Sequence, residues 1–463
     1  MKIEIGKVKS KIITDNPAIL KGLRKIYSFR VDGAEFTAAY KNGWWDGKKE
    51  FIRKDGTFRT GLLQRLLNDL KKTGVKLELE DPDNLHNIDA GLPVPTIDSF
   101  EYREYQRKAI SNALRVKRGV IKFPTGSGKT LIMAGIVKAL QGKKMVILFN
   151  SKQLITQTYK FLKESCGLPN IGISFGEGYL YGDVMLTTVQ SIEKIIDSHL
   201  EEAEVLMVDE CHEFCNGKRN LAAIESFDNA IYRFGFTATP PSKKVGLYSL
   251  EGALGPVLEA TTTEELIEED FLTKPVIQVF DIVPDEEEPE GNYRDIYDGF
   301  VVHNEYRNGM IKAIVDRILE TSEKPRILIL TQSLEHTDTL HKLIKGSYKL
   351  QGEDEIAIRY KTINKFVSKN KGTILIGTRI LQTGVNIEEI THFINARGLK
   401  SEIATIQALG RSLRKHDSKT KVFVYDFYDH VKYLKAHAAK RVRSYKAEGH
   451  EVERIKCPRQ EKK

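Results

Sequence analysis

Two short clusters in this 463-residue chain have the side chains and spacing needed to handle phosphate. The first is Pro124-Thr125-Gly126-Ser127-Gly128-Lys129-Thr130. Its glycines let the backbone turn tightly and bring N–H groups up to phosphate oxygens. The apolar periodicity of residues 131–140 predicts a helix whose positive end points at the same anion. Lys129 can reach the β- and γ-phosphates of a nucleotide, and Thr130 can hold Mg²⁺. Phe123 stands where the common spacing has a first glycine. The second cluster, Asp209-Glu210, follows the apolar run Val205–Val208. A carboxylate at such a strand end can reach the Mg²⁺, and its neighbour can orient or deprotonate an attacking water. Taken singly, the first cluster could be an ordinary glycine-rich turn and the second a solvated strand terminus.

Both clusters need strands to hold them, and the chain supplies strands in alternation with helices. Short apolar runs at 120–123, 145–149, 184–187, 205–208 and 232–236 are separated by helical patterns or loops. That alternation predicts a parallel sheet covered on both faces. A strand at 276–279 leads into an acidic run from Asp281 to Glu290. The alternation resumes with strands at 326–330, 373–376, 392–395 and 422–427. Helices are expected at 303–320, 335–344, 355–368 and 403–413. Residues 1–95 read as a separate α+β module. Its expected elements are a strand at 2–13, a helix at 17–26, a hairpin at 27–40 around Asp32-Gly33, a helix at 62–70 and a strand at 75–79. The proline-containing stretch 81–95 reads as a linker. The expected domains are therefore 1–95, 96–281 and 282–463.

Composition narrows the class. With 41% hydrophobic and 29% charged residues, the chain fits a soluble globular protein, and no apolar run approaches a membrane span. The start, Met1-Lys2-Ile3-Glu4, has no signal-peptide pattern, so a cytoplasmic location is expected. Four cysteines are too few and too scattered for a disulfide framework, and Cys211-His212-x-x-Cys215 has no second pair to complete a metal site. The net charge of +9 and pI near 9.0 suit a polyanionic partner. The charge sits at the ends. Residues 1–60 carry 14 Lys+Arg against 7 Asp+Glu, and residues 431–463 carry 11 against 4, so each end is +7.

The motifs together resemble those of the superfamily 2 helicases. Lys129-Thr130, Asp209-Glu210-Cys211-His212 and Thr237-Ala238-Thr239-Pro240 look like motifs I, II and III. Phe123 fits, because that superfamily often lacks the first glycine. Phe149-Asn150-Ser151-Lys152 and Thr187-Thr188-Val189-Gln190 sit where motifs Ia and Ib belong. Ile376-Gly377-Thr378 with Thr383-Gly384-Val385-Asn386 resembles motif V, and Gln407-x-x-Gly410-Arg411-x-x-Arg414 resembles motif VI. Tyr102-Arg103-Glu104-Tyr105-Gln106 resembles the adenine-reading segment. In residues 1–95, Gly33-x-x-Phe36, Gly43-Trp44-Trp45-Asp46-Gly47 and Gly61-Leu62 look like the accessory domain of the phage UvsW helicase family, and so does Arg307-Asn308 in the second α/β region.

The resemblance implies two RecA-like motor domains with ATP and Mg²⁺ as cofactors, and DNA as the partner, branched or forked, handled by a monomer. It implies that Tyr102, Gln106 and 124–130 bind ATP, that Thr130 and Asp209 hold Mg²⁺, and that Lys129, Asp209, Glu210, Arg411 and Arg414 are catalytic. His212, Thr237, Thr239 and Gln407 would couple the nucleotide to the second motor domain. Ser151, Lys152, Thr188, Gln190, Thr378 and Thr383 would line the DNA groove. Trp44 and Trp45 invite base stacking and Lys48 a phosphate contact, though a tryptophan in a small domain is commonly core. Two alternatives stay open: an RNA helicase, since the motor motifs do not choose the sugar, and a nucleic-acid binding protein with an inactive motor.

Overall fold

A computed structural model describes residues 1–87, 91–195, 199–214, 217–284, 291–351, 354–378, 387, 389–399, 413 and 421–457. They fall into two compact units: Met1–Phe123 with Gly128–Thr261, and Thr262–Lys463 with Pro124–Ser127.

The first unit is built on an eight-stranded sheet. Its order is Gly178–Leu180, Ile171–Phe175, Val184–Thr188, Met145–Phe149, Val205–Val208, Tyr232–Thr237, Arg118–Lys122 and Val257–Ala260. Every pairing is parallel except the edge hairpin formed by Gly178–Leu180. The central strands are continuous apolar runs because both faces are covered: all five residues of Met145–Phe149 and all four of Val205–Val208 are buried. The helix Lys129–Ala139 lies in one of these covers and buries seven consecutive residues, Leu131 to Val137.

The N-terminal residues form a four-stranded sheet, Thr57–Arg59, Lys9–Ile13, Lys2–Glu4 and Glu78–Glu80, backed by helix Leu63–Lys71. That helix buries Leu63, Leu66, Leu67 and Leu70, a spacing that puts one apolar stripe on the core. Helix Pro17–Ile26 forms as expected, with the Asn16 side chain accepting from Ala18 N–H. The expected single strand at 2–13 is instead two antiparallel strands, because the chain reverses at Gly6 and pairs Ile3 with Ile12. The expected hairpin at 27–40 is also corrected. Gly33 is left-handed and opens a 3₁₀ turn, Ala34–Phe36. Thr37 then caps a short helix, Ala38–Lys41, and strand Ser28–Arg30 pairs with Lys48–Glu50.

These residues do not stand apart from the first motor sheet. Helix Lys244–Leu254 packs against them. A Cβ at Gly61 would overlap the Glu251 carbonyl, so only glycine allows the two backbones to cross there. Arg65 makes a two-pronged bond to Glu251 (2.8 and 2.7 Å), and Arg59 pairs with Glu225. Phe29 meets the Tyr248 ring edge-on at 4.6 Å, and Arg118 donates to the Lys7 carbonyl at 2.9 Å. The stretch after Asp81 also folds in: Leu85 joins the N-terminal core, and Lys117 Nζ bonds the Asn84 carbonyl.

The second unit carries a seven-stranded, all-parallel sheet: Tyr348–Leu350, Thr373–Gly377, Arg326–Leu330, His392–Asn395, Lys421–Asp429, Lys274–Ile282 and Val452–Lys456. Strand Lys274–Ile282 pairs along its whole length with Lys421–Asp429, so its hydrogen bonds belong to this sheet, although the alternation alone put it with the first. Helices Glu305–Thr321, Leu334–Leu343 and Ile356–Ser368 form close to their expected bounds. The helix expected at 403–413 falls outside the described residues except for Leu413. No helix among the described residues is long and apolar enough to cross a membrane.

Candidate nucleotide and nucleic-acid site

Three neighbouring parallel strands, Val205–Val208, Tyr232–Thr237 and Arg118–Lys122, end on the same side of the sheet. Their carboxyl ends carry the two phosphate-handling clusters and Thr237. Ligands bind at such ends in open parallel sheets. The strands are locked at their tips, where Phe123 N–H donates to the Thr237 carbonyl at 3.0 Å and Asp209 N–H to the Leu148 carbonyl at 3.0 Å.

Gly126 and Gly128 both have positive φ, at 90° and 82°, and Gly128 is the N-cap of helix Lys129–Ala139. A Cβ on Gly128 would collide with Gln106 Nε2, so the glycine lets that amide sit directly on the loop. Gln106 is buried, and its Oε1 accepts from Arg103 N–H at 3.0 Å. The loop turns on itself through Ser127, whose hydroxyl donates to the Pro124 carbonyl at 2.8 Å. Pro124 and Ser127 are buried, while Thr125, Gly126, Lys129 and Thr130 are half-buried. Lys129 Nζ bonds the Phe123 carbonyl at 3.1 Å, across the mouth of the loop. Tyr102 is a correction. Its ring lies in the hydrophobic core, with Ile110 and Ile132 in the same cluster and its hydroxyl without a hydrogen bond, so it supports the helix rather than meeting a nucleotide.

Asp209 and Glu210 are half-buried at the strand end. Glu210 sits at φ +45°, a left-handed conformation that costs a non-glycine residue about 1–2 kcal/mol. Its Oε2 is buried, accepts no hydrogen bond and lies 3.5 Å from His212 Nδ1. An orphaned carboxylate oxygen of this kind suits a group that must take a proton from a bound water. Burial holds the His212 imidazole below its ordinary range, against the pull of Glu210 and Glu213. His212 Nδ1 lies 2.8 Å from Thr237 Oγ1, and Thr237 Oγ1 also accepts from Thr239 N–H at 3.1 Å. The arrangement is satisfied when Thr237 donates its proton to a neutral His212. The acidic strand end and the Thr237–Thr239 turn are thus joined by one buried hydrogen bond. Sequence spacing alone missed a second link, Asn150 Nδ2 to Glu213 Oε2 at 2.6 Å, which ties the segment after strand Met145–Phe149 to the same acidic end.

The residues expected in a nucleic-acid groove divide. Lys152 and Gln190 are exposed. Ser151 is half-buried, and its hydroxyl accepts from Leu154 N–H at 3.3 Å as the cap of helix Lys152–Lys160. Thr188 and Thr378 are corrections: both side chains are buried, and the Thr188 hydroxyl bonds Ser191 Oγ at 3.3 Å. Thr383, Gln407, Arg411 and Arg414 lie outside the described residues, as does Cys215. Cys211 is a buried core thiol. Neither tryptophan is core. Trp44 is 80% exposed, while Trp45 is half-buried with Nε1 donating to the Lys48 carbonyl at 2.7 Å. The Lys48 side chain is exposed.

Three family models match. Residues 99–242 match the type III restriction enzyme res subunit, residues 310–416 the helicase conserved C-terminal domain, and residues 7–80 the N-terminal domain of DNA helicase UvsW. The chain is 24% identical to the ATP-dependent DNA helicase uvsW of Enterobacteria phage T4, over 91% of this chain and 92% of that protein. It is 24% identical to the DNA 3'-5' translocase XPB2 of Sulfurisphaera tokodaii, over 76% and 87%. A fragment assigned to the HsdR subunit of a type I restriction enzyme from Vibrio vulnificus shares the fold, with a TM-score of 0.60 at 18% identity, covering 89% of this chain and 76% of that one. The two parallel sheets are therefore RecA-like domains of the kind expected from the motifs.

Proposed function

We propose, from the premise that this chain is a superfamily 2 helicase of the UvsW type, that it uses ATP to unwind and remodel branched DNA. Its substrates are forks and four-way junctions, and its setting is phage replication, recombination and repair in the host cytoplasm. It is an ATP-hydrolysing DNA helicase. The observation that carries the branched-DNA reading beyond that is the N-terminal domain. The motor strand ends already account for ATP use, so a basic module docked on the motor is left to choose the substrate.

Within the motor, Lys129 neutralises the β- and γ-phosphates while the Gly126–Gly128 backbone cradles them. Gln106, already seated on Gly128, places the adenine edge. Mg²⁺ fits this donor set: the Thr130 hydroxyl and the Asp209 carboxylate would hold it, with its other positions open to phosphate oxygens and water, as the ion prefers. When bound, it offsets charge on the leaving phosphates. Glu210 takes the proton of the attacking water. His212, Thr237, Thr239 and Gln407 pass the state of the phosphates onward, and Arg411 and Arg414 stabilise the transition-state charge. Lys152 and Gln190 grip phosphates of one strand without reading bases.

The test is ATP hydrolysis and strand displacement by the purified protein on forked DNA, four-way junctions, linear duplex and RNA. Turnover driven by forks and junctions well above linear duplex supports the reading. Equal stimulation by linear duplex, or stimulation by RNA alone, overturns it.

A further inference from the structure

Trp44 and Phe36 are 80% and 77% exposed, the two most exposed large apolar side chains among the described residues. Both lie on the excursion between the paired strands Ser28–Arg30 and Lys48–Glu50. A single exposed apolar residue on a protein surface is ordinary, but two aromatics on one protruding segment of a basic domain are not. The backbone under them is tightly held. Trp44 and Trp45 N–H groups both donate to the Ala39 carbonyl, at 2.9 and 3.1 Å, and Trp45 Nε1 closes the loop onto the Lys48 carbonyl. Trp45 is thus spent on building the loop, and the loop holds Trp44 outward.

The charges around this tip are sorted. Arg30 pairs with Glu35 at 3.5 Å, Asp32 pairs with Lys243, and Asp46 Oδ1 accepts from Lys48 N–H at 3.0 Å. Glu35 and Asp32 are therefore ion-paired, and Asp46 is held by a backbone N–H. The Lys41 and Lys48 ammonium groups are exposed and make no ion pair among the described residues. An exposed aromatic with unpaired cations three residues before and four residues after it suits a nucleobase with its flanking phosphates.

The tip is also rooted on the motor. Lys243, which pairs with Asp32, precedes helix Lys244–Leu254, the first helix after the Thr237–Thr239 turn. The same helix meets the tip's strands through Phe29 on Tyr248 and through Lys49 Nζ to Ser249 Oγ at 2.8 Å.

We infer that Trp44, with Phe36 eight residues before it on the same excursion, is a stacking platform for an unpaired nucleobase at a DNA branch point, and that Lys41 and Lys48 hold the adjoining phosphates. This rests on the branched-DNA reading and names its contact. A fully paired linear duplex offers no free base face, so the platform discriminates in favour of branches.

The test uses the full-length wild-type protein beside Trp44→Phe, so that the difference in tryptophan emission between the two reports Trp44 alone and the Trp45–Lys48 bond is kept. Stacking is expected to quench the Trp44 emission on a fork with unpaired bases at the junction, and not on linear duplex. In parallel, Trp44→Ala is expected to weaken fork binding by about 5- to 100-fold, the range that stacking of one base spans. Trp44→Phe should restore much of the loss, and affinity for fully paired linear duplex should be unchanged in both. A fork that binds, by anisotropy, without quenching Trp44 overturns the inference. So does Trp44→Ala with wild-type fork affinity. Both results leave the helicase reading intact, whereas a wild-type protein whose ATPase ignores DNA removes that reading itself.

Discussion

Two charged clusters, one in each RecA-like sheet, are treated in opposite ways. In the first, Asp209 and Glu210 stand at a strand end, and Glu210 keeps a buried oxygen with no hydrogen bond. In the second, two arginine–carboxylate networks are sunk in the core and satisfied. Arg441 grips Asp426 with bonds of 2.9 to 3.3 Å and also donates to the Leu399 and Phe427 carbonyls. Asp426 further accepts from Tyr445 OH at 2.9 Å and Asn395 Nδ2 at 3.2 Å. Arg307 pairs with Asp429 at 2.8 Å and donates to the Ala396 carbonyl. A charge whose partners are all protein is a structural device, and one left with an open oxygen is poised for a substrate. The satisfied network of the second unit holds the backbone at Ala396 and Leu399.

The largest effect that sharpens this contrast is expected at Glu210. Glu210→Gln should bind ATP through Lys129 and Asp209 yet hydrolyse it about 10²–10⁴-fold more slowly, with an unchanged melting temperature. Loss of ATP binding in a folded variant would show that the two carboxylates have exchanged roles. Arg441→Met reverses the pattern. It leaves Asp426 buried without its main partner and should cost about 3–5 kcal/mol of stability, read as a drop in denaturant midpoint. A variant as stable as the parent would mean that the network is not structural.

Acid should separate the units next. Burial pushes His336 down to about 3 and His392 and His450 down to about 4, all in the second unit. Each stays neutral in the fold but takes a proton near pH 6.5 when unfolded. The stability they support is therefore present above pH 6.5 and lost as the pH falls from there toward 4, at about 2 kcal/mol per histidine by pH 5. Hydrogen exchange at pH 5 should show strand His392–Asn395 opening before strand Met145–Phe149, and the reverse order would contradict the assignment. The smallest effect belongs to Thr237→Val. Removing the hydroxyl from His212 costs about one hydrogen bond, so basal hydrolysis should fall little while stimulation by DNA drops about tenfold. Equal losses in both would place Thr237 in the chemistry rather than in coupling.

Much of this was legible in the sequence, for a physical reason. Strands buried on both faces must be continuous apolar runs, so Met145–Phe149, Val205–Val208 and Arg326–Leu330 could be read to the residue. The phosphate loop and Asp209-Glu210 were legible because phosphate chemistry restricts residue type and spacing. Contacts distant in sequence were not legible. Gly61 and Arg307-Asn308 could be recognised only as parts of a resemblance. The structure shows what each does: Gly61 admits the Glu251 backbone, Arg307 neutralises Asp429, and Asn308 Oδ1 bonds His336 Nε2 at 2.9 Å. The groove residues misled where a hydroxyl at a strand end, Thr188, turned inward to Ser191 instead of outward to solvent. The N-terminal stretch misled because a proline-containing connection reads as a linker. Here the module it follows is bonded to helix Lys244–Leu254 through Arg65 and Glu251, so point substitutions at the tip probe it more cleanly than deletion of residues 1–95.

The most direct test of the central claim is strand displacement on matched forked and linear DNA of the same sequence, with wild-type protein and Lys129→Ala side by side. The account predicts that the wild type separates the fork in the presence of ATP and Mg²⁺ and the linear duplex far more slowly, and that Lys129→Ala, folded and still able to bind the fork, separates neither. Equal rates on the two substrates, or displacement that persists in Lys129→Ala, would contradict it.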